Sequence, residues 1–176
     1  MAWLTVLFAL VALIYSSVGF GGGSTYSALL ALGDVDYRLI PVVALLCNII
    51  VVTGGTIRYW RAGLIDLRAI CPLLIASAPL AFVGGVVPLK QSVFYLLLGS
   101  GLLLSSLALL IRVETTKAKM LPQPALLGVS AATGLLADLS GIGGGIFMSP
   151  VLHLVRWADA RRIAAFASLY ILINSI

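Results

Sequence analysis

Two clusters of glycine, Gly19-Phe20-Gly21-Gly22-Gly23 and Gly141-Ile142-Gly143-Gly144-Gly145, break apolar stretches at matched places in the chain. Each follows an apolar run (residues 2–18 and 125–140) and opens a short one (24–32 and 146–154). A charged loop comes next, then an apolar segment carrying an asparagine, Asn48 or Asn174. Four glycines in five residues remove helix propensity locally and let backbone N–H and C=O groups face a ligand with no side chain in the way. In a bilayer such broken backbone survives only where it lines protein or a wet cavity. The pattern therefore reads as an internal duplication with a backbone-built site at each break.

Apolar content decides the solvent. With 61% hydrophobic and 10% charged residues and a mean hydropathy of +1.16, the chain is far from a soluble domain, where about a quarter of residues are charged. Runs at 39–57, 69–88 and 93–111 are each long enough to cross a hydrocarbon core of ~30 Å as a helix. The run 2–18 has no basic leader and no small-residue cleavage site, so it is expected to stay in the mature protein. A net charge of +5 resides in loops, and no nucleic-acid motif or aromatic-basic interleaving accompanies it, which argues against nucleic acid as a partner. With one histidine and no ligand spacing, neither a metal nor a cofactor is expected. Cys47 and Cys71 fall in apolar segments and are expected as buried free thiols.

Loop charges discriminate between two topologies. If each glycine-broken stretch crosses once, six basic residues fall on one side and five on the other, which is no bias. If each is instead a hairpin returning to its own side, Arg58, Arg61, Arg68, Arg112, Lys117, Lys119, Arg156, Arg161 and Arg162 share one side, leaving Arg38 and Lys90 on the other. Nine against two is a strong positive-inside pattern. Residues 24–32 would also reach only about 13 Å as a helix, roughly half a bilayer. A hairpin plus three crossings is an odd number of passes, so the second copy must be inverted, an architecture common among secondary transporters. The expected fold is an all-α polytopic membrane protein with an inverted repeat, each copy a glycine-tipped re-entrant helical hairpin followed by three transmembrane helices. The first repeat spans 1–112, a cytoplasmic linker 113–124, and an incomplete second repeat 125–176.

The paired glycine motifs, "STYSALLALG" after the first, "IFMSPVLHL" after the second and "GGTIRYWRAGLIDLR" at 54–68 resemble the sulfite exporter TauE/SafE family of membrane anion permeases. The resemblance covers essentially the whole chain. It implies export of a small organic or sulfur-containing anion, such as sulfite or a sulfonate, across the cytoplasmic (inner) membrane. It also implies a second repeat that continues past Ile176, so the chain is expected to be a fragment of a longer product or a truncated remnant.

An anion site explains why glycines recur. A helix N-terminus offers unpaired N–H groups and a partial positive charge, which hold oxyanions without a fixed cation. Candidate substrate-binding residues are Gly19, Gly21, Gly22 and Gly23 with the hydroxyls of Ser24 and Thr25, and Gly141, Gly143, Gly144 and Gly145 in the second copy. The competing reading is helix packing, because Gly19/Gly23 and Gly141/Gly145 are also spaced as GxxxG. Asn48 and Asn174 are candidates to donate an amide N–H toward the glycine tips, or else form interhelical hydrogen bonds. Asp138, a carboxylate within an apolar segment, is the candidate for proton coupling; its plain alternative is a cap on the hairpin backbone. His153 reads first as an interfacial residue. The chain lacks a Ser/His dyad, paired intramembrane aspartates and a metal-ligand set, so no enzyme is expected. The partners are then a small anion and the lipid bilayer. Oligomerisation stays open, as do two other functions: a non-transporting scaffold subunit and an anion channel.

Overall fold

The structure, a computed structural model, describes residues 2–110 and 122–176. Arg112, Lys117, Lys119 and most of the expected linker 113–124 lie outside the described residues. Those residues form eight helices in the order α1 (Ala2–Val18), α2 (Gly23–Leu32), α3 (Leu39–Arg61), α4 (Leu67–Val86), α5 (Gln91–Leu110), α6 (Gln123–Leu139), α7 (Gly145–Leu154) and α8 (Ala160–Asn174). No strand occurs among the described residues. α3, α4 and α5 are each long and apolar enough to cross a membrane. α3 runs four residues beyond the expected 57, since Arg58 and Arg61 in its last turn complement the negative end of its dipole. α6 starts at Gln123, so the expected linker gives its last two residues to a helix that opens with Pro124 in its first turn, where a missing N–H costs nothing.

The two glycine breaks separate helices of matching length, 17 then 10 residues in both places. After the first break the chain folds back: Phe8 and Tyr26 rings sit 4.8 Å apart, and a methyl built on Gly33 would lie 3.2 Å from Leu4 Cδ1. The start of α1 and the end of α2 are thus neighbours. The second break does the same, since Gln123 at the start of α6 and Val155 just past α7 wall one pocket with Arg68 and Trp157. Asp66 and Arg162 share the adjoining pocket, again with Trp157. The connections 62–66 and 155–159 therefore lie together at one end of the molecule. Tyr37 and Arg38 meet Val87 to Lys90 at the other.

α4 and α6 form the closest pair, and they run parallel. Ser130 Oγ donates to Leu73 O at 2.8 Å, Gly134 faces Ser77, and Gly84 faces Leu135 and Leu139. A methyl on Gly134 would come 2.6 Å from Ser77 O, and one on Gly84 2.6 Å from Leu135 O. Small residues let these backbones touch, which is how helices associate where lipid removes the hydrophobic drive between them. Below the second break, Met148, Leu152, Ile163, Phe166 and Tyr170 form the main core with Ile70, Leu73 and Leu126. Both cysteines are free, but Cys47 is only half-buried and Cys71 is exposed. The expectation of burial fails for Cys71 because an apolar helix in a bilayer has an outer face as well as an inner one.

Candidate functional site

The glycine breaks are real interruptions of the backbone. Gly19 and its counterpart Gly141 have φ of 87° and 66°, and Gly22 and Gly144 have 76° and 75°. In this left-handed region only glycine is at ease. The copies differ at one position, since Gly143 is left-handed at 82° and Gly21 is not among the positive-φ residues. Gly22 and Gly144 serve as N-caps of α2 and α7 with no side chain capping either helix. Helix starts present N–H groups without intrahelical partners, and in α7 the first of them, Gly145 N–H, turns back onto Gly143 O at 2.9 Å.

The two breaks meet. Asn48 Nδ2 donates to Ile142 O at 3.0 Å, so an amide on α3, beside Gly21 and Gly23 of the first break, holds the backbone of the second. A methyl on Gly23 would lie 2.6 Å from that same carbonyl, and one on Gly143 would lie 2.7 Å from Asn48 Nδ2 and 2.9 Å from Ser175 Oγ. Asn48 starts the third turn of α3, roughly 14 Å from its beginning at 1.5 Å per residue. Asn174 approaches Gly144, its Nδ2 being 3.5 Å from a methyl built there. Its Oδ1 accepts from Ser77 Oγ at 3.1 Å, which orients the amide with Nδ2 toward the break.

At this junction Asn48 Oδ1, Asn174 Nδ2 and Ser175 Oγ are buried with no hydrogen-bond partner in the protein, as are Asp138 Oδ1 beside the adjoining cavity and Ser27 Oγ within α2. Buried polar atoms nearly always find a partner, and a cluster of exceptions marks a place built to hold something polar. Ser27 is an addition to the sequence-derived set, and Ser175 is the sequence neighbour of Asn174. Ser27, one turn into α2, carries no pattern of its own; only its burial distinguishes it.

Other candidates are placed as follows. Ser24 is buried at the start of α2. Thr25 Oγ1 is hydrogen-bonded to Tyr15 OH at 2.9 Å and so ties α2 to α1. Gly145 is packed against Ile171. Gly19 lies against the Tyr59 ring, whose hydroxyl donates to Val18 O at 2.6 Å and terminates α1. Asp138 Oδ1 is buried without a hydrogen-bond partner, and the residue lines two adjoining cavities, of about 530 and 220 Å³. Both are also lined by Leu45, Gly85 and Val86, and the smaller reaches Asn174 and Ser175. His153 is exposed near the Trp157 end. No cluster of three or more metal-ligating side chains occurs among the described residues.

The sequence profile of the sulfite exporter TauE/SafE family matches residues 4–176, and so nearly every residue that builds this junction. The chain belongs to the sulfite exporter TauE/SafE family. Among curated proteins it is similar to a probable membrane transporter protein of Sinorhizobium fredii, at 32% identity over 182 aligned positions covering 98% of this chain and 72% of the relative. No solved structure matches the chain. Family membership and the long apolar helices together make this TauE/SafE chain a multi-pass membrane protein of transporter type.

Proposed function

We propose that the chain forms the pathway of a secondary transporter for a small organic or sulfur-containing oxyanion, with the substrate held between the two glycine breaks. The observation that carries this reading is the convergence of two helix starts that no side chain caps on one junction where the Asn174 Nδ2 and Ser175 Oγ donors are buried without a partner, while Asn48 ties the two breaks together. Broken helices whose N-terminal ends point at a central anion are a recurrent transporter device. Dipoles and neutral amides, rather than fixed cations, hold the charge weakly enough for release. In this reading the matched helix pairs are re-entrant hairpins entering from opposite faces, the repeats are inverted, and the connections 62–66 and 155–159, with Arg58, Arg61, Arg68, Arg156, Arg161 and Arg162 in or beside them, face the cytoplasm. Asp138 carries the coupling proton, because a charged carboxylate beside the path repels an anion and a protonated one does not.

Gly144→Leu tests the site directly. The junction has no room for a side chain at Gly144, where a methyl already comes 2.8 Å from the Tyr170 ring. A Gly144→Leu protein that inserts and purifies as a single species is expected to lose uptake of labelled sulfite or methanesulfonate into vesicles by at least about a hundredfold, the size of effect that small misplacements at a site produce. Wild-type flux in that protein would overturn the reading.

A further inference from the structure

The larger cavity, of about 530 Å³, opens at the end of the molecule away from Arg68 and Trp157 and is walled by Tyr37, Arg38, Pro41, Val86 to Lys90 and Phe94, with Asp138 at its inner side. We propose that this chamber is a second oxyanion site, distinct from the glycine junction, in which Arg38 and Lys90 hold the anion before or after it passes Asp138. The inference rests on the transport reading above for its purpose, but on its own residues for its chemistry.

Three observations support it. Arg38 and Lys90, the two cations set apart by the loop-charge pattern, line one cavity although 52 positions separate them in sequence. Neither takes part in the ion pair formed by Arg162 and Asp159, and the charge that acts on Arg38 is that of its chain neighbour Asp36. The nearby Asp36 spends Oδ1 on the Arg38 backbone N–H at 3.0 Å, while the guanidinium Nε donates to Tyr37 OH at 3.3 Å.

The second observation concerns the helices that carry these cations. Arg38 is the N-cap of α3, and Lys90 immediately precedes α5, accepting from Phe94 N at 3.0 Å through its carbonyl. Neither first turn contains an acid. Helix starts favour acidic side chains, so a cation there works against the dipole. Two such cations, at two helix starts facing one chamber, concentrate positive potential where an anion would relieve it.

The third is continuity with the junction. Asp138, which has one buried and unpartnered oxygen, lines both cavities, and the smaller one also reaches Asn174 and Ser175. The charged and titratable groups lining the chamber are thus Tyr37 and Arg38 from the α2–α3 connection, Lys90 from the α4–α5 connection and Asp138 from α6. The α3 and α4 segments lining it supply only apolar residues and glycine.

A thiol placed in the chamber reads its charge preference without requiring transport. A methyl on Gly85 would lie 3.9 Å from Asp138 Cβ with nothing closer, so Gly85→Cys fits in a background carrying Cys47→Ala and Cys71→Ala. At low ionic strength, sulfonatoethyl methanethiosulfonate should label it at least about tenfold faster, relative to a free thiol, than the trimethylammonioethyl reagent. Arg38→Gln with Lys90→Gln should erase that preference, and the charge-keeping pair Arg38→Lys with Lys90→Arg should retain it. Sulfate should slow the anionic reagent saturably in the parent and not in the Gln pair. Faster labelling by the cationic reagent, an unchanged ratio in the Gln pair, or the absence of sulfate protection would each overturn the proposal. A Gly144→Leu protein that transports normally would instead remove the junction site and leave this result standing.

Discussion

Asp138 is the one buried carboxylate among the described residues, and it lines both the larger cavity and the smaller one that reaches Asn174 and Ser175. If it carries the coupling proton, its charged form bars the anion and its protonated form admits it. Methanesulfonate is a useful probe here, because it stays ionised across the working pH range and leaves any pH effect to the protein. Uptake by the parent should fall as pH rises, while Asp138→Asn, which imitates the protonated acid, should hold the low-pH rate across the series. A parent-like slope in the Asn variant would end the coupling proposal. The residue's depth was legible in the sequence, being an acid inside an apolar run. Its separation from any backbone partner was not, because the left-handed turn at Gly141 that carries the chain away is a conformational fact. The asparagines divide similarly. Their position after each break pointed to the tips, but Asn48 donates to the opposite break, a contact across 94 positions that no local pattern encodes.

At the scale of elements, α6 offers two glycines with opposite expectations. Gly134 lies against the Ser77 backbone, whereas nothing comes within 4 Å of a methyl on Gly128. Gly134→Ala should therefore destabilise by about 1–3 kcal/mol through forced separation of α4 and α6, and Gly128→Ala should be neutral or stabilise by up to about 1 kcal/mol through helix propensity. Thermal unfolding of the two purified variants in one detergent checks this, and equal shifts would remove the close-packing account. The helix boundaries themselves were largely readable: the stretches 2–18 and 146–154 agree with α1 and α7 to within a residue. Glycine and proline punctuate them, and those signals are local. The parallel α4–α6 pairing had no such signal, since small residues in an apolar helix occur on packed and lipid faces alike.

At the scale of the molecule, contacts place the connections 62–66 and 155–159 together, away from Arg38 and Lys90. In cells expressing a Cys-free background, an impermeant thiol reagent added outside should label Val35→Cys and should reach Asp159→Cys only after permeabilisation. Labelling of both from outside would contradict the opposed hairpins, and the reverse pattern would invert the orientation. The α4–α6 contact also sets an order of assembly. α4 ends at Val86 and its partner does not begin until Gln123, so α4, α5 and the following connection are all synthesised before the helix that covers Ser77 and Gly84 exists. The nascent chain thus spends an interval with a groove cut for a helix not yet synthesised, and the insertion machinery, rather than the finished fold, must keep that groove from the wrong neighbour.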